Sequence, residues 1–95
     1  MNSLYKLRIP DSIADLIRGM HPYLKRKIKA SLQTILSHPL SGKALKADLV
    51  GLRSYRVSRF RIIYRISKKE IEIVAVGPRD RIYQETYKII SKSMK

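Results

Sequence analysis

The strongest constraint on the fold is an alternation of apolar and polar residues that runs from Ser54 to Ile66. Apolar side chains recur at every second position, which is the period of a β-strand with one buried face. These positions are Tyr55, Val57, Phe60, Ile62, Tyr64 and Ile66, with a break for a tight turn near Ser58-Arg59. The pattern predicts a hairpin with one apolar face and one cationic face.

A third strand follows the hairpin. Residues 67–70 supply a turn, and five of the six residues from Ile71 to Val76 are apolar. A continuous apolar run of this length is typical of a strand covered on both faces, so we expect it to be central in the sheet. Gly77-Pro78 closes it.

The N-terminal half predicts one strand and two helices. Tyr5 to Ile9 alternates like a half-buried strand, and Pro10 ends it. Asp11 or Ser12 is expected to cap the first helix, with Ser12 and Asp15 at the spacing of a capping box. Its apolar positions are Ile13, Leu16, Ile17 and Met20, and Gly19 suits its end.

The second helix opens near Pro22 and stops at His38-Pro39. Its apolar stripe consists of Leu24, Ile28, Leu32, Ile35 and Leu36, and its basic residues Lys25, Arg26, Lys27 and Lys29 lie mostly off that stripe. We interpret these cations as a solvated face in preference to a nucleic-acid contact. Residues 39–52, with one proline and two glycines, predict an irregular connection.

A last helix is predicted from Asp80 or Arg81 to Ser93, with two competing stripes. One contains Ile82, Thr86 and Ile89, and the other Tyr83, Tyr87, Ile90 and Met94. The element order β-α-α-β-β-β-α predicts an α+β fold: a mainly antiparallel sheet with the two N-terminal helices on one face and the other face free for function.

Size and charge narrow the function. The 95 residues fit a single domain, 1–95, and 44% of them are hydrophobic, enough for a packed core. The 21 Lys and Arg against 7 Asp and Glu give a formal net charge of +14. Such an excess costs self-repulsion and points to a polyanionic partner, with nucleic acid ahead of a membrane. A merely soluble basic protein is the alternative.

The chain lacks the residues that several kinds of catalytic chemistry require. The chain has no cysteine, and its two histidines, His21 and His38, are not spaced like metal ligands. We therefore expect no metal and no cofactor. No apolar run approaches the ~20 residues of a membrane span, and the opening residues do not form a signal peptide, which predicts a cytoplasmic protein without a membrane partner.

The positive charge is concentrated on the predicted hairpin. Seven basic residues and no acidic one lie between Leu49 and Lys69: Arg53, Arg56, Arg59, Arg61, Arg65, Lys68 and Lys69. Antiparallel pairing can bring Arg56 beside Arg61, and like charges on adjacent strands are destabilising unless an anion bridges them. A phosphate suits guanidinium groups. A solvated arginine face is the alternative.

Arg79, Arg81 and Tyr83 follow the third strand of this run, where strand ends often form sites. Asp80 can simply pair with an arginine, and Tyr83 can be a core aromatic.

RNA carries its own nucleophile, the 2′-hydroxyl, so a protein need only align it, stabilise the phosphorane and move protons. Arginines suit the first two tasks, and a tyrosine whose pKa is lowered by cations suits the third.

Two segments in this order carry a family resemblance. The stretch GLRSYRVSRFRIIYRI (51–66) and the stretch VGPRDRIY (76–83) resemble the RelE/ParE superfamily of type II toxin–antitoxin toxins, and the RelE branch in particular. The resemblance covers nearly the whole chain. It implies a RelE-like fold and an mRNA endoribonuclease that acts on the ribosome through 2′-hydroxyl attack, without a metal.

By this resemblance Arg61 and Arg79 orient the phosphate and stabilise the transition state. Arg56 manages charge or protons, and Tyr83 stacks or transfers a proton. The remaining candidates for RNA binding are Arg53, Arg59, Arg65 and Arg81. Two positions depart from the family pattern: Ser54 stands where active members carry a second basic residue, and Pro78 where many have histidine or lysine.

The family also implies partners: a cognate antitoxin with an acidic and apolar segment, the ribosome and mRNA. The ParE branch shares the fold but poisons DNA gyrase without cleaving RNA, and a non-enzymatic RNA-binding module is a third possibility. The nuclease interpretation requires Arg61, Arg79 and Tyr83 to converge on one phosphate.

Overall fold

The computed structural model describes residues 4–93, with side chains through residue 92. The strands are β1 (Lys6–Arg8), β2 (Lys43–Ala44), β3 (Arg53–Val57), β4 (Phe60–Ser67) and β5 (Glu70–Pro78). The helices are α1 (Asp11–Arg18), α2 (Pro22–Ser37) and α3 (Arg79–Ser93). This arrangement confirms the predicted α+β fold class and adds β2, a two-residue strand that the sequence pattern did not predict.

The five strands form one sheet in the order β1-β5-β4-β3-β2. β1 pairs with β5 in parallel, and every other pair is antiparallel. The expected central position of β5 is therefore only partly right. β5 has a neighbour on each side, but β4 is the middle strand, because β1 returns from the N-terminus to add outside β5.

The main core lies between one face of the sheet and the two N-terminal helices, as predicted. The buried helix residues are Ile13, Ile17, Ile28, Leu32 and Ile35, and the strand residues beneath them are Val57, Ile62, Tyr64, Ile71, Ile73 and Val76. Burial of each large aliphatic side chain contributes roughly 1.5–3 kcal/mol, so this face holds most of the hydrophobic stabilisation.

The opposite sheet face is not wholly free, which corrects the prediction from the sequence. α3 packs on it and buries a smaller cluster of Leu52, Ile63, Ala75 and Ile82. Of the two competing stripes, the first is buried at Ile82 and Thr86 but exposed at Ile89. In the second, Tyr83 and Ile90 are half-buried and Tyr87 is exposed. Met94, also in the second stripe, lies outside the described residues.

The connection between α2 and β3 is more regular than predicted. It contains two short 3₁₀ turns, Pro39–Ser41 and Ala47–Leu49, on either side of β2. The buried phenol of Tyr64 fastens this segment, since it donates to the carbonyl of Pro39 (2.6 Å) and accepts from the amide of Gly42 (2.9 Å). A Cβ on Gly42 would lie 2.5 Å from that phenolic oxygen, so only glycine fits there.

The helix starts differ from the expected caps. Asp11 is the first residue of α1, its N-cap is Pro10, and no side chain caps it, so the predicted capping box is absent. α2 begins at Pro22 as expected, and the Nδ1 of His21 accepts from the amide of Tyr23 at 3.2 Å. None of the helices described between residues 4 and 93 is long and apolar enough to cross a membrane.

Candidate active site

An open groove of about 820 Å³ lies where the β3–β4 turn meets the start of α3. Its lining contains four arginines and one tyrosine. The lining residues are Arg56, Ser58, Arg59, Phe60, Arg61, Pro78, Arg79, Asp80 and Tyr83. The groove therefore brings together all four residues predicted to be catalytic, which are separated by up to 27 positions in the chain.

Strand register places two of the arginines side by side. Arg56 of β3 is the direct partner of Arg61 of β4, as the sequence predicted, and Arg61 in turn faces Gly77 of β5. A Cβ on Gly77 would lie 2.9 Å from the Cδ1 of Ile82. The bare glycine therefore allows α3 to start directly over the arginine pair.

α3 follows β5 without a loop, and its first turn forms one wall of the groove. The amide of Arg79 donates to the carbonyl of Arg59 at 2.9 Å, which ties the first turn of the helix to the β3–β4 turn. Arg79 and Tyr83 are four residues apart, so their side chains share one face of the helix. The helix thus presents a guanidinium and a phenol to the same space.

Tyr83 joins the second core cluster to the groove. Its ring is half-buried against that cluster, and its phenolic oxygen lies 3.1 Å from the hydroxyl of Ser54. The sequence left two roles open for Tyr83, core packing and a place in the site. The structure combines them, because the ring packs in the core while the side chain also lines the groove. Ser54 is itself buried, with 7% of its surface exposed.

The electrostatics of the groove favour ionisation of this phenol. Partial burial by itself raises the pKa of Tyr83, but the hydrogen bond with Ser54, the hydrogen bond and charge of Arg61, and the charge of Arg79 outweigh it. The net result is a pKa below the ordinary value of about 10. The phenolate is consequently available at lower pH than in an isolated tyrosine.

The arginines of the groove carry uncompensated charge. The ion pairs in the described part of the chain are Arg8–Glu70, Arg18–Asp15 and Arg65–Glu72, and none involves a groove residue. Asp80 lines the groove but forms no ion pair among the described residues, so the alternative in which it pairs with a neighbouring arginine is not seen. A site with this surplus of guanidinium groups is suited to an anion such as a phosphate.

The predicted RNA-binding residues divide between the groove and other surfaces. Arg59 lines the groove. Arg53 points to the opposite sheet face, where its guanidinium donates to the carbonyls of Gly42 (3.0 Å) and Leu40 (3.2 Å). Arg65 is bonded to Glu72, and Arg81 is exposed on α3 outside the groove lining.

Some groove residues escaped prediction as site residues. Phe60 was placed on the apolar face, and it does contact the main core while half-buried, but it also lines the groove. Its signal in the sequence was its place directly after the turn, and in the structure it lies opposite Pro78 in the strand register. Ser54 was noted only as a departure from the family pattern, whereas the structure makes it the hydrogen-bond partner of Tyr83.

The basic face of α2 is separate from this site. None of its lysines or arginines lines the groove, and Lys27 lies over the exposed ring of Tyr23, with 4.7 Å from its Nζ to the ring centroid. In the part of the chain that the structure describes, no three His, Cys, Asp or Glu side chains cluster as a metal site would require.

The family of the chain follows from its sequence as a whole. Residues 7–83 match the model of the ParE toxin of the type II toxin–antitoxin system parDE. The chain is a type II toxin of the RelE/ParE superfamily. No curated protein matches it by sequence.

Solved structures of RelE toxins share the fold of this toxin. An E. coli RelE double mutant in the free state superimposes with a TM-score of 0.73 at 19% identity, covering 96% of this chain and 98% of that one. RelE from the Pyrococcus horikoshii RelE–RelB complex gives 0.67 at 20% identity, covering 82% and 98%. A chain of the Mycobacterium tuberculosis RelBE2 complex gives 0.70 at 24% identity, covering 79% and 98%.

Proposed function

We propose that this toxin is a ribosome-dependent endoribonuclease that cuts mRNA and thereby arrests translation. The observation that carries the proposal is that Arg61, Arg79 and Tyr83 line one groove, where both guanidinium groups lower the pKa of the phenol. A gyrase poison or a simple RNA-binding module has no need for this convergence. A nuclease that uses the 2′-hydroxyl of RNA requires it.

The proposed reaction begins with the 2′-hydroxyl next to the scissile phosphate. Its oxygen attacks the phosphorus, its proton passes to the Tyr83 phenolate, and the bond to the 5′-oxygen breaks. The leaving 5′-oxygen takes a proton from water, and the hydroxide that remains removes the proton from Tyr83, which restores the phenolate. The products are a 2′,3′-cyclic phosphate and a 5′-hydroxyl end, so atoms and charge balance without a further reactant.

The arginines stabilise the charge that develops in this step. Arg61 and Arg79 flank the phenol and would contact the non-bridging oxygens of the phosphorane, which carry more negative charge than the starting phosphate. Arg56, beside Arg61 in the sheet, adds a further positive charge to the groove. Preorganised cations directed at the developing charge are among the strongest sources of transition-state stabilisation.

Ser54 can take over the role of the basic residue that active family members carry at this position. A hydroxyl at 3.1 Å from the phenolic oxygen can donate to the phenolate and so favour it, as a neighbouring cation would. Tyr83 is then the proton acceptor, and the serine helps to set its pKa. The second departure, Pro78, lines the groove and can hold no proton.

The proposed partners follow from the family and the charge. The ribosome would present mRNA to the groove, and a net charge of +14 favours entry into an RNA-rich site. A cognate antitoxin with an acidic and apolar segment would cover the unpaired arginines. Two of the solved relatives in fold are toxin–antitoxin complexes, from M. tuberculosis and P. horikoshii.

The ParE family model supports a second candidate function, a DNA gyrase poison. Induction of the toxin in cells distinguishes the nuclease from the gyrase poison. The ends of mRNA are mapped and chromosomal breaks are measured in the same culture. The nuclease proposal expects mRNA cuts within codons and an intact chromosome. Intact mRNA together with DNA damage would instead support the gyrase-directed function.

A further inference from the structure

A second cavity of about 650 Å³ adjoins the groove on the far side of Tyr83. Tyr83 lines both spaces, so the two adjoin at its side chain. The second cavity lies between α3 and the 3₁₀ turn Ala47–Leu49. Its polar and aromatic lining residues are Lys46, Asp48, Tyr83, Gln84, Tyr87 and Lys88.

Tyr87 is the feature of this cavity that packing does not explain. It is 49% exposed, although α3 has a buried stripe one residue away at Thr86. Tyr83 and Tyr87 are four residues apart on the helix, so their rings lie along one face with an axial spacing of about 6 Å. This spacing is comparable to the separation of neighbouring nucleotides in an extended strand.

The charge beside Tyr87 favours an anionic occupant. Lys46 and Lys88 are both exposed and have no ion pair among the described residues, and they outnumber the single carboxylate of Asp48. An exposed aromatic ring flanked by unpaired cations is the usual platform for a nucleotide of a single strand: the base stacks on the ring and the phosphate meets the cations.

We infer that the second cavity is a subsite for the nucleotide next to the scissile phosphate. Its base stacks on Tyr87, its phosphate contacts Lys46 and Lys88, and the strand crosses Tyr83 to reach the arginines of the groove. This inference rests on the proposed action on RNA, but it concerns binding of the strand and does not depend on its cleavage.

The test uses fluorescence anisotropy with a labelled, fully 2′-O-methylated hexanucleotide, which has no nucleophilic hydroxyl and so stays intact. Tyr87→Ala is expected to weaken binding about tenfold, because stacking of one base is lost. Tyr87→Phe keeps the ring and should bind as the parent does. Tyr23→Ala is the matched control, since Tyr23 is also exposed and beside a lysine, but lies on α2 outside both cavities.

An abasic scan of the same oligonucleotide sharpens the result. Removal of the base at one position should weaken binding to the parent protein as much as Tyr87→Ala does, and at that position the Tyr87→Ala variant should show no further loss. Equal affinity of the parent and Tyr87→Ala for the intact oligonucleotide would overturn the subsite and leave the cavity to a protein partner.

The experiments can refute the proposed subsite and the proposed nuclease function independently of each other. If Tyr87→Ala weakens binding while the parent toxin leaves unmodified mRNA uncut, the subsite holds and the nuclease proposal does not. If the parent cuts mRNA while Tyr87→Ala binds and cuts equally well, the nuclease proposal holds and the subsite is refuted.

Discussion

The hydroxyl of Ser54 and the phenol of Tyr83 are 3.1 Å apart, although 29 positions separate them in the chain. The contact joins β3 to the first turns of α3, and the same phenol also interacts with Arg61 of β4, the strand partner of Arg56. It places a buried hydrogen-bond partner on the group that we propose as the proton acceptor. The pH dependence of the toxin should therefore depend on a serine that touches no substrate.

Substitution of Ser54 by alanine should move the activity of the toxin to higher pH. The pKa of Tyr83 lies below its usual value, and the Ser54 hydrogen bond contributes to that lowering. Without the hydroxyl the pKa rises, so the phenolate forms at higher pH and the acid limb of the kcat/KM profile shifts upward. An NMR titration of ¹³C-labelled tyrosine should show the same displacement for Tyr83 alone.

Ser58→Ala is the control for this shift, since Ser58 lines the groove but forms no hydrogen bond with Tyr83. Its pH profile should match that of the parent toxin. An unchanged profile for Ser54→Ala would show that the serine does not tune the phenol.

Tyr83→Phe separates proton transfer from stacking. The ring remains, so packing and contact with bases are retained, but the proton acceptor is lost. General acid–base catalysis is typically worth about 10²–10⁴-fold, and we expect kcat on ribosome-bound mRNA to fall within that range while the affinity for RNA changes little. A phenylalanine variant that cuts as fast as the parent would assign Tyr83 to stacking alone.

Arg79→Ala should abolish most of the cutting without unfolding the toxin, because Arg79 is exposed and forms no ion pair among the described residues. Loss of one preorganised group that stabilises the transition-state charge costs about 10²–10³ in kcat. Arg81→Ala removes the same side chain two residues further on, outside the groove. Equal loss from both variants in single-turnover assays would indicate a general charge effect and not a site.

Tyr64→Phe should destabilise the fold by about 2 kcal/mol, because the buried amide of Gly42 and the carbonyl of Pro39 both lose their partner. Urea denaturation measures the free energy of unfolding. Tyr55→Phe is the control on the neighbouring strand, since its phenol makes no hydrogen bond within the described residues, and it should be nearly neutral. Equal stabilities would mean that the Tyr64 phenol does not fasten the connection between α2 and β3.

Local patterns were enough to predict most of the fold. The alternation around Phe60 to Ile66 predicted the hairpin and even the pairing of Arg56 with Arg61, because register follows once the turn is fixed. The apolar run from Ile71 to Val76 predicted an interior strand. Pro22 and His38 marked the two ends of α2.

The rest of the fold depended on contacts between residues that are far apart in the sequence. β2 is only two residues long and is an edge strand beside β3, so no periodicity could reveal it. The register shift between Ile63 and Tyr64 leaves Val74 without a partner on β4, which turns both Ile73 and Val76 toward the main core. Strict alternation would have placed Ile73 and Val76 on opposite faces.

The candidate site was likewise predicted in part by local sequence and depended in part on tertiary contacts. Residue types were enough to select Arg61, Arg79 and Tyr83, but their convergence required α3 to begin directly after β5 and close to Gly77. The roles of Arg53 and Ser54 also depended on the tertiary structure. Arg53 hydrogen-bonds to the backbone near β2, and Ser54 meets a phenol on α3.

The decisive experiment for the proposed nuclease is cleavage of mRNA by the purified toxin. The toxin is added to ribosomes stalled on a defined mRNA, and the RNA ends are mapped and their chemistry determined, with Arg79→Ala and naked mRNA as parallel controls. A nuclease of this kind should give a cut within the codon exposed on the ribosome, a 2′,3′-cyclic phosphate end, and little or no cutting in either control. Intact mRNA on ribosomes treated with folded parent toxin would contradict the nuclease proposal.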